Sequence, residues 1–302
     1  MRAISVYACE LAFQIKCQLG EGPVWDAVTR SLYWVDIEQS RIHRWFPRSG
    51  EHSILPVGSM VGAVALCTNG KLMAALQSGL VTIDPATGQT MPVADPEKHL
   101  PGNRYNDGKC DPAGRFWIGS MSLKEEPGAG NLYMIGSDWS HVHQLGKLGI
   151  SNGLAWTADK KTMYFIDTPA RKVWAFDYDN ERGSIRNRRV VITVPEKEGY
   201  PDGMTIDQED MLWIAHWDGW QVARWNPYTG RKMATIPVPA ARVTCCTFGG
   251  EQLTDLYVTT ATTGLNAQQL SAQPLAGSVF VAKDTGFSGM EAVRFNSKSP
   301  SY

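Results

Sequence analysis

A short hydrophobic and aromatic triplet recurs six times along this chain at nearly even spacing, and that recurrence limits the possible folds more than any other feature. The triplets are Leu32-Tyr33-Trp34, Leu72-Met73-Ala74, Phe116-Trp117-Ile118, Met163-Tyr164-Phe165, Leu212-Trp213-Ile214 and Leu256-Tyr257-Val258. Their first residues are separated by 40, 44, 47, 49 and 44 positions. Turn-forming runs stand just before several of them: Thr68-Asn69-Gly70-Lys71, Asp111-Pro112-Ala113-Gly114 and Thr157-Ala158-Asp159-Lys160. Tighter turns, Asp84-Pro85-Ala86-Thr87-Gly88 and Asn226-Pro227-Tyr228-Thr229-Gly230, fall later in their units. Apolar periodicity of 3.6 is absent over any stretch of about 10 residues. Units of this size, each a few short strands, bury their hydrophobic faces only by stacking on one another, and closing the stack into a ring removes its ends. The predicted fold is all-β: a six-bladed β-propeller with four-stranded blades and a central metal-binding channel, spanning 1–302 as a single domain. The first unit is short of strand at its front, so a terminal segment is expected to complete a blade there and close the ring. The two Trp-Asp pairs, at 25–26 and 217–218, sit in different strands of their units and do not mark a WD40 repeat.

Composition removes several function classes. A 43% hydrophobic content supports a sizeable core. A formal net charge of −1 offers no basic excess for nucleic acid, and the cluster Arg186, Arg188 and Arg189 beside Asp179 and Glu181 reads as a solvated turn. The six cysteines, Cys9, Cys17, Cys67, Cys110, Cys245 and Cys246, form no Cys-x-x-Cys pair and read as reduced, mostly buried thiols. Glu10 and Lys16 interrupt the apolar N-terminus, which does not read as a secretion signal, and no apolar run of about 18 residues is present to span a membrane. The expectation is a soluble, cytoplasmic protein with no nucleic-acid or membrane partner. Its oligomeric state is not legible.

In a propeller the innermost strand of each blade lines the axis, so equivalent positions of different blades converge at one mouth. Aligned on their glycines, these strands read Gly20-Glu21-Gly22-Pro23, Met60-Val61-Gly62-Ala63, Asn106-Asp107-Gly108-Lys109, Ser151-Asn152-Gly153-Leu154 and Pro201-Asp202-Gly203-Met204, with Val243-Thr244-Cys245-Cys246 lacking the glycine. The residues before the glycine are Glu21, Val61, Asp107, Asn152 and Asp202, with Cys245 in the sixth place. Four of the six carry oxygen. Converging carboxylate and amide oxygens repel and lose water, a conflict that a hard divalent cation such as calcium, magnesium or manganese resolves. Were the third strand to bulge, Asn106 would face the channel and Asp107 would brace the turn.

The same residues carry a family likeness. Gly20-Glu21-Gly22-Pro23-Val24-Trp25, Arg104-Tyr105-Asn106-Asp107-Gly108-Lys109 running into Asp111-Pro112-Ala113-Gly114-Arg115, Ser151-Asn152-Gly153-Leu154, Pro201-Asp202-Gly203-Met204 and Phe248-Gly249-Gly250 stand in order at blade spacing. Over roughly residues 19–282 the chain resembles the senescence marker protein, gluconolactonase and luciferin-regenerating family, which includes regucalcin and bacterial sugar lactonases. The resemblance implies a six-bladed propeller with one divalent metal ion, calcium foremost, with zinc, magnesium, manganese or iron as alternatives. It implies metal ligands at Glu21, Asn152 and Asp202, substrate contacts at Arg104 and Asn106, and a combined ligand and acid–base role for Asp202. Animal members carry an acidic residue in the loop after Met121; counting without gaps puts Lys124 there, with Glu125 and Glu126 beyond. The 122–130 loop could form a lid over the mouth.

The implied activity is metal-dependent hydrolysis of a sugar lactone, such as gluconolactone or a pentonolactone, with the metal polarising the lactone and Asp202 activating water. Gly-x-Ser-x-Gly does not occur, which leaves a serine-esterase elbow unsupported. Alternatives are a calcium-binding regulator without turnover, a scaffold for protein partners, or a broader metal-dependent esterase. His141 and His143 read as solvated turn residues and His216 as a satisfied core histidine. Trp217 and Trp220 are candidates to line the mouth against a sugar face.

Overall fold

The computed structural model describes residues 4–297. Six antiparallel sheets account for the six repeats. Blade one is Gly20–Asp26, Ser31–Asp36, Arg41–Trp45 and His52–Pro56, and blade two is Val61–Leu66, Leu72–Leu76, Gly79–Ile83 and Thr90–Ala94. Blade three is Asn103–Cys110, Phe116–Ser122, Gly130–Ile135 and His141–Leu148; blade four is Ser151–Trp156, Thr162–Asp167, Lys172–Asp179 and Ser184–Thr193. Blade five is Tyr200–Ile206, Leu212–Trp217, Gln221–Asn226 and Arg231–Pro237. Each inner strand packs on the inner strands of both neighbouring blades, the sixth against the first, so the ring is closed. This is a six-bladed β-propeller.

The recurring triplets open the second strands because those positions face the seams between blades. Leu32, Leu72, Phe116, Met163, Leu212 and Leu256 are all 2% exposed or less. Burying a side chain of this kind contributes about 1.5–3 kcal/mol, so the repeat marks where the ring is held together.

Closure differs from the expectation in one detail. The first unit has four strands of its own; the sixth has three, Val243–Gly249, Asp255–Thr260 and Val279–Ala282. Its outer strand is Glu10–Phe13, antiparallel to Val279–Ala282. Ser5–Val6 adds a parallel strand to the edge of blade five. Among the described residues after Ala282 there is no further strand; they cross the end of the channel, where Phe295 bridges Cys67 and Gly289 bridges Asp207. A short helix, Ala267–Ala272, starts from a capping box between Asn266 and Gln269 and lies within blade six's connection. Among the described residues no helix is long and apolar enough to cross a membrane.

All six inner strands bulge at the same level. Pairing with the second strand shifts by one residue between Glu21 and Val24, Val61 and Ala63, Tyr105 and Gly108, Ser151 and Leu154, Pro201 and Met204, and Val243 and Cys245. A bulge re-aims the side chains around it. Glycine is needed there for two reasons. Gly22 adopts a left-handed φ of 52°. At Gly153 a side chain would meet the next blade, since a Cβ would lie 2.9 Å from the Asp202 carbonyl oxygen.

Candidate active site

The bulges decide which side chains reach the mouth. A cavity of about 790 Å³ opens at the start of the inner strands and is lined by Glu21, Arg104, Asn106, Asn152 and Asp202. Counted from the start of each bulge, Asn106, Asn152 and Asp202 are equivalent, and Glu21 stands one residue earlier. Asp107, in register by its glycine, is not in this group. The bulge turns it away from the mouth, to the inner side of Glu21, where it lines a separate cavity of about 300 Å³ with Lys109 and Cys245. The alignment on glycine is therefore corrected at blade three, and Asn106 takes the place that Asp107 held in it. Val61 and Cys245 contribute nothing to the mouth.

The positions of the two amides are fixed by their hydrogen bonds. The Thr168 hydroxyl donates to the Pro201 carbonyl oxygen at 2.8 Å and so accepts from Asn152 Nδ2, also at 2.8 Å. Asn152 Oδ1 is thereby the free end of the amide, and it is buried without a hydrogen-bond partner. Asn106 Nδ2 donates to the Ser151 carbonyl oxygen at 2.8 Å, and its Oδ1 accepts from Arg104 at 2.7 Å. The guanidinium and Asn106 thus form one unit at the cavity wall.

Glu21 and Asp202 are 5% and 6% exposed. Burial, and then the neighbouring Asp107 carboxylate, push the Glu21 carboxyl well above the usual range. Burial, then Glu21 and Asp107, push Asp202 up as well. Burial lowers Arg104, against the pull of Glu21 and Asp202. Two buried carboxylates and one orphaned amide oxygen form a set whose mutual repulsion a cation removes. The donor set therefore fits a hard divalent ion.

A family profile described as "SMP-30/Gluconolactonase/LRE-like region" matches residues 19–262. The chain belongs to this family. It is 38% identical over 283 residues to regucalcin of Gallus gallus, covering 92% of this chain and 95% of that protein. It is 36% identical over 278 residues to the "Putative sugar lactone lactonase YvrE" of Bacillus subtilis (strain 168), covering 92% and 94%. Among solved structures, the calcium-binding protein regucalcin of Agrobacterium tumefaciens superposes with a TM-score of 0.93 at 29% identity, over 98% of this chain and 99% of that one.

In this SMP-30/gluconolactonase/LRE-like chain the mouth also holds residues that single-strand motifs do not reveal. Glu38, Glu125, Pro127, Thr168, Trp217 and Thr263 all line the cavity. Each lies in or beside the connection from the second strand to the third, and those connections rim the mouth because the inner strands enter there. Applying that rule to the repeat would have located them. Tyr200, at the start of an inner strand, lines the wall with the Arg171 guanidinium 3.6 Å over its ring. Of the two tryptophans singled out, Trp217 lines the cavity, braced by Arg242 at 4.6 Å, and Trp220 does not. In the 122–130 loop Glu125, rather than Lys124, reaches the cavity. A turn closed by the Glu125 amide on the Ser122 carbonyl oxygen shapes this part of the loop.

His216 is a core residue, fully buried. Its Nδ1 faces the Glu198 carbonyl oxygen at 2.7 Å, and its Nε2 accepts from the Trp225 indole at 3.3 Å. Both contacts suit a neutral ring, and burial pulls its pKa down to about 4. The unfolded chain takes up that proton near pH 6.5 and the native protein only near 4, so this histidine's contribution to stability is complete above 6.5 and is lost as pH falls. The expected loss between pH 6.5 and 4 is about 3 kcal/mol. Denaturant melts of wild type and His216→Gln across that range measure it, and the variant should show the shallower pH dependence.

Proposed function

We propose that this protein hydrolyses a sugar lactone to the aldonic acid, with a divalent ion, calcium foremost, held by Glu21, Asn152 and Asp202. The observation that carries the proposal is the orphaned Asn152 Oδ1, held by Thr168 beside two buried carboxylates in a cavity that also presents Arg104 and Asn106. When bound, such an ion supplies a Lewis acid for the lactone carbonyl and for the oxyanion that develops on it. Arg104 and Asn106 bind and orient the polyol, the guanidinium offering several donors in a fixed fork. Asp202 takes the proton of the attacking water and returns it as the ring oxygen leaves. As a ligand it is a weakened base, so its placement matters as much as its basicity. Tyr200 and Trp217 offer apolar faces to the ring, and the 122–130 loop limits the length of sugar accepted.

One relative supports this reading by its name, "Putative sugar lactone lactonase YvrE". The regucalcin name, with a calcium-binding solved relative, also favours a second reading, a calcium-binding protein without turnover. One experiment separates the two: metal-stripped protein is assayed on a panel of aldonolactones with calcium, magnesium, manganese, zinc or iron(II) added back. Metal-dependent turnover establishes the lactonase, and tight calcium binding with no turnover on any lactone establishes the alternative. Arg104→Gln should lower kcat/KM by about 10–100-fold, chiefly through KM, because each lost charge-assisted hydrogen bond is worth about 1.5–3 kcal/mol. Metal affinity, read by calorimetry, should not fall, since removing a cation from the cavity wall cannot weaken a cation site by charge.

A further inference from the structure

One group of buried side chains is unconnected with the mouth cavity. It lies in blade one, in the seam shared with blade six, where Cys17 and Trp34 pack with Val279 and Val281. We propose that Cys17, Asp36 and His43 form a second, interior metal site, one that takes a thiophilic divalent ion of the zinc class. It does not depend on the lactonase reading.

The three residues offer a sulfur, a carboxylate oxygen and an imidazole nitrogen within 4.8 Å of one another. Each residue is 1% exposed. A mixed sulfur, nitrogen and oxygen set suits zinc and related ions, in contrast to the all-oxygen set at the mouth.

The pairing of the strands aims the histidine. Trp34 pairs with His43, Arg41 with Asp36 and Trp45 with His52. Along that face the order therefore runs from Asp36, through Trp34 and His43, to His52. His43 Nδ1 contacts His52 Nε2 at 3.1 Å, so its other nitrogen, Nε2, is turned toward Asp36. That Nε2 is buried without a hydrogen-bond partner, while the Trp34 indole and the Asp36 carboxylate both lie within hydrogen-bonding reach of the Cys17 sulfur. An orphaned imidazole nitrogen at a buried point is uncommon, and an ion is one of the few things that accounts for it.

The supporting contacts are those of a ligand set. A metal-bound histidine usually has its second nitrogen held by a partner, the role His52 fills here. The Asp36 carboxylate is held by three backbone amides, from Gln18 at 3.0 Å, Leu19 at 3.1 Å and Gln39 at 3.4 Å. The His43 ring is further fixed by stacking on Trp34, with centroids 4.8 Å apart and planes within 7°. Loading forms a sulfur–metal bond and breaks the thiol S–H bond, releasing one proton to solvent per ion.

The test uses the full chain carrying Asp202→Asn, which disables the mouth set, stripped of metal and titrated with cobalt(II). The expected result is a thiolate-to-cobalt charge-transfer absorption that saturates at one equivalent, survives Cys246→Ser and disappears in Cys17→Ser. A folded protein with no such absorption, or an absorption that survives Cys17→Ser, overturns the proposal. Should Cys17→Ser fail to fold, X-ray absorption at the zinc edge on the zinc-loaded Asp202→Asn protein decides without it. One sulfur neighbour at about 2.3 Å supports the site, and a shell of oxygen and nitrogen alone refutes it.

Discussion

Asp202→Asn is expected to lower metal-dependent lactone turnover by about 10³-fold, the middle of the range for losing a positioned general base, and at the same time to abolish the protein's response to a chelator. The two effects have one origin. Without metal, Glu21 and Asp202 face each other in a buried wall, and burial together with their mutual repulsion pushes both carboxyls up. An amide at 202 removes that repulsion, so the metal-free variant should melt no lower than metal-free wild type. With metal at a hundred times its Kd, wild type gains about 2.7 kcal/mol and the variant gains nothing. Calorimetric melts with calcium and with chelator should therefore show a large shift for wild type and none for Asp202→Asn. A variant that keeps both its calcium shift and its turnover would remove Asp202 from the site. The metal-free wild type carries a further signature. Its raised carboxyls are neutral in the fold and ionise first in the unfolded chain, so its stability should decline as pH rises above about 4, the ordinary carboxylate range.

The second large effect is on stability alone. Asp207 stands on the turn between the inner and second strands of blade five, at the end of the ring away from the mouth, and is fully buried. It accepts from the Glu209 and Met211 amides, from Trp213 Nε1 at 2.9 Å and from Arg224 Nε at 2.7 Å. Asp207→Ala leaves a guanidinium with a 3% exposed side chain short of its interior partner. Breaking a buried pair from one side costs about 3–5 kcal/mol. Arg224 retains the exposed Glu209 at 2.6 Å, which places the cost near the lower end. The expected fall in Tm is roughly 10 °C, with kcat/KM unchanged at temperatures where the variant is folded. Removing Glu251 from its pair with Arg30 should cost under about 1 kcal/mol, because both side chains are more than half exposed. Equal melting losses from the two substitutions would mean that burial is not what gives the Asp207 pair its weight.

Much of the ring was legible from the triplets, because burial at blade seams demands apolar residues at one fixed position per unit. Glu21, Asn152 and Asp202 were legible for a similar reason, since symmetry carries equivalent positions to one mouth. An alignment on glycines left the choice between Asp107 and Asn106 open, resting on whether the third strand bulges, and the bulge puts Asn106 at the mouth. The bulge is alike in the blades, but Gly108 stands three residues past its start where Gly153 and Gly203 stand two, so the residue before the glycine is a different one there. Glu38, Thr168 and Thr263 escaped notice because they lie in the connections from second to third strands, outside the inner-strand motifs that were aligned. The source of the sixth blade's outer strand was hidden too. Glu10–Phe13 is four residues long with an exposed or half-exposed pattern, and nothing local distinguishes it from a loop.

That borrowed strand has a consequence for how the ring comes to exist. Glu10–Phe13 leaves the ribosome before any blade is made, yet its hydrogen-bonding partner, Val279–Ala282, emerges only after the strands of the other five blades. This strand must therefore stay unpaired while the other five blades are made, and its docking joins residues more than 260 positions apart in sequence. Such pairings are slow to form, since the entropy of closing the loop is lost before any contact rewards it. Until then blade six carries a bare edge that can recruit another chain. Ser5–Val6 lies against blade five while Glu10–Phe13 lies against blade six, so when the N-terminus does settle it fastens two blades in one event, as a latch would.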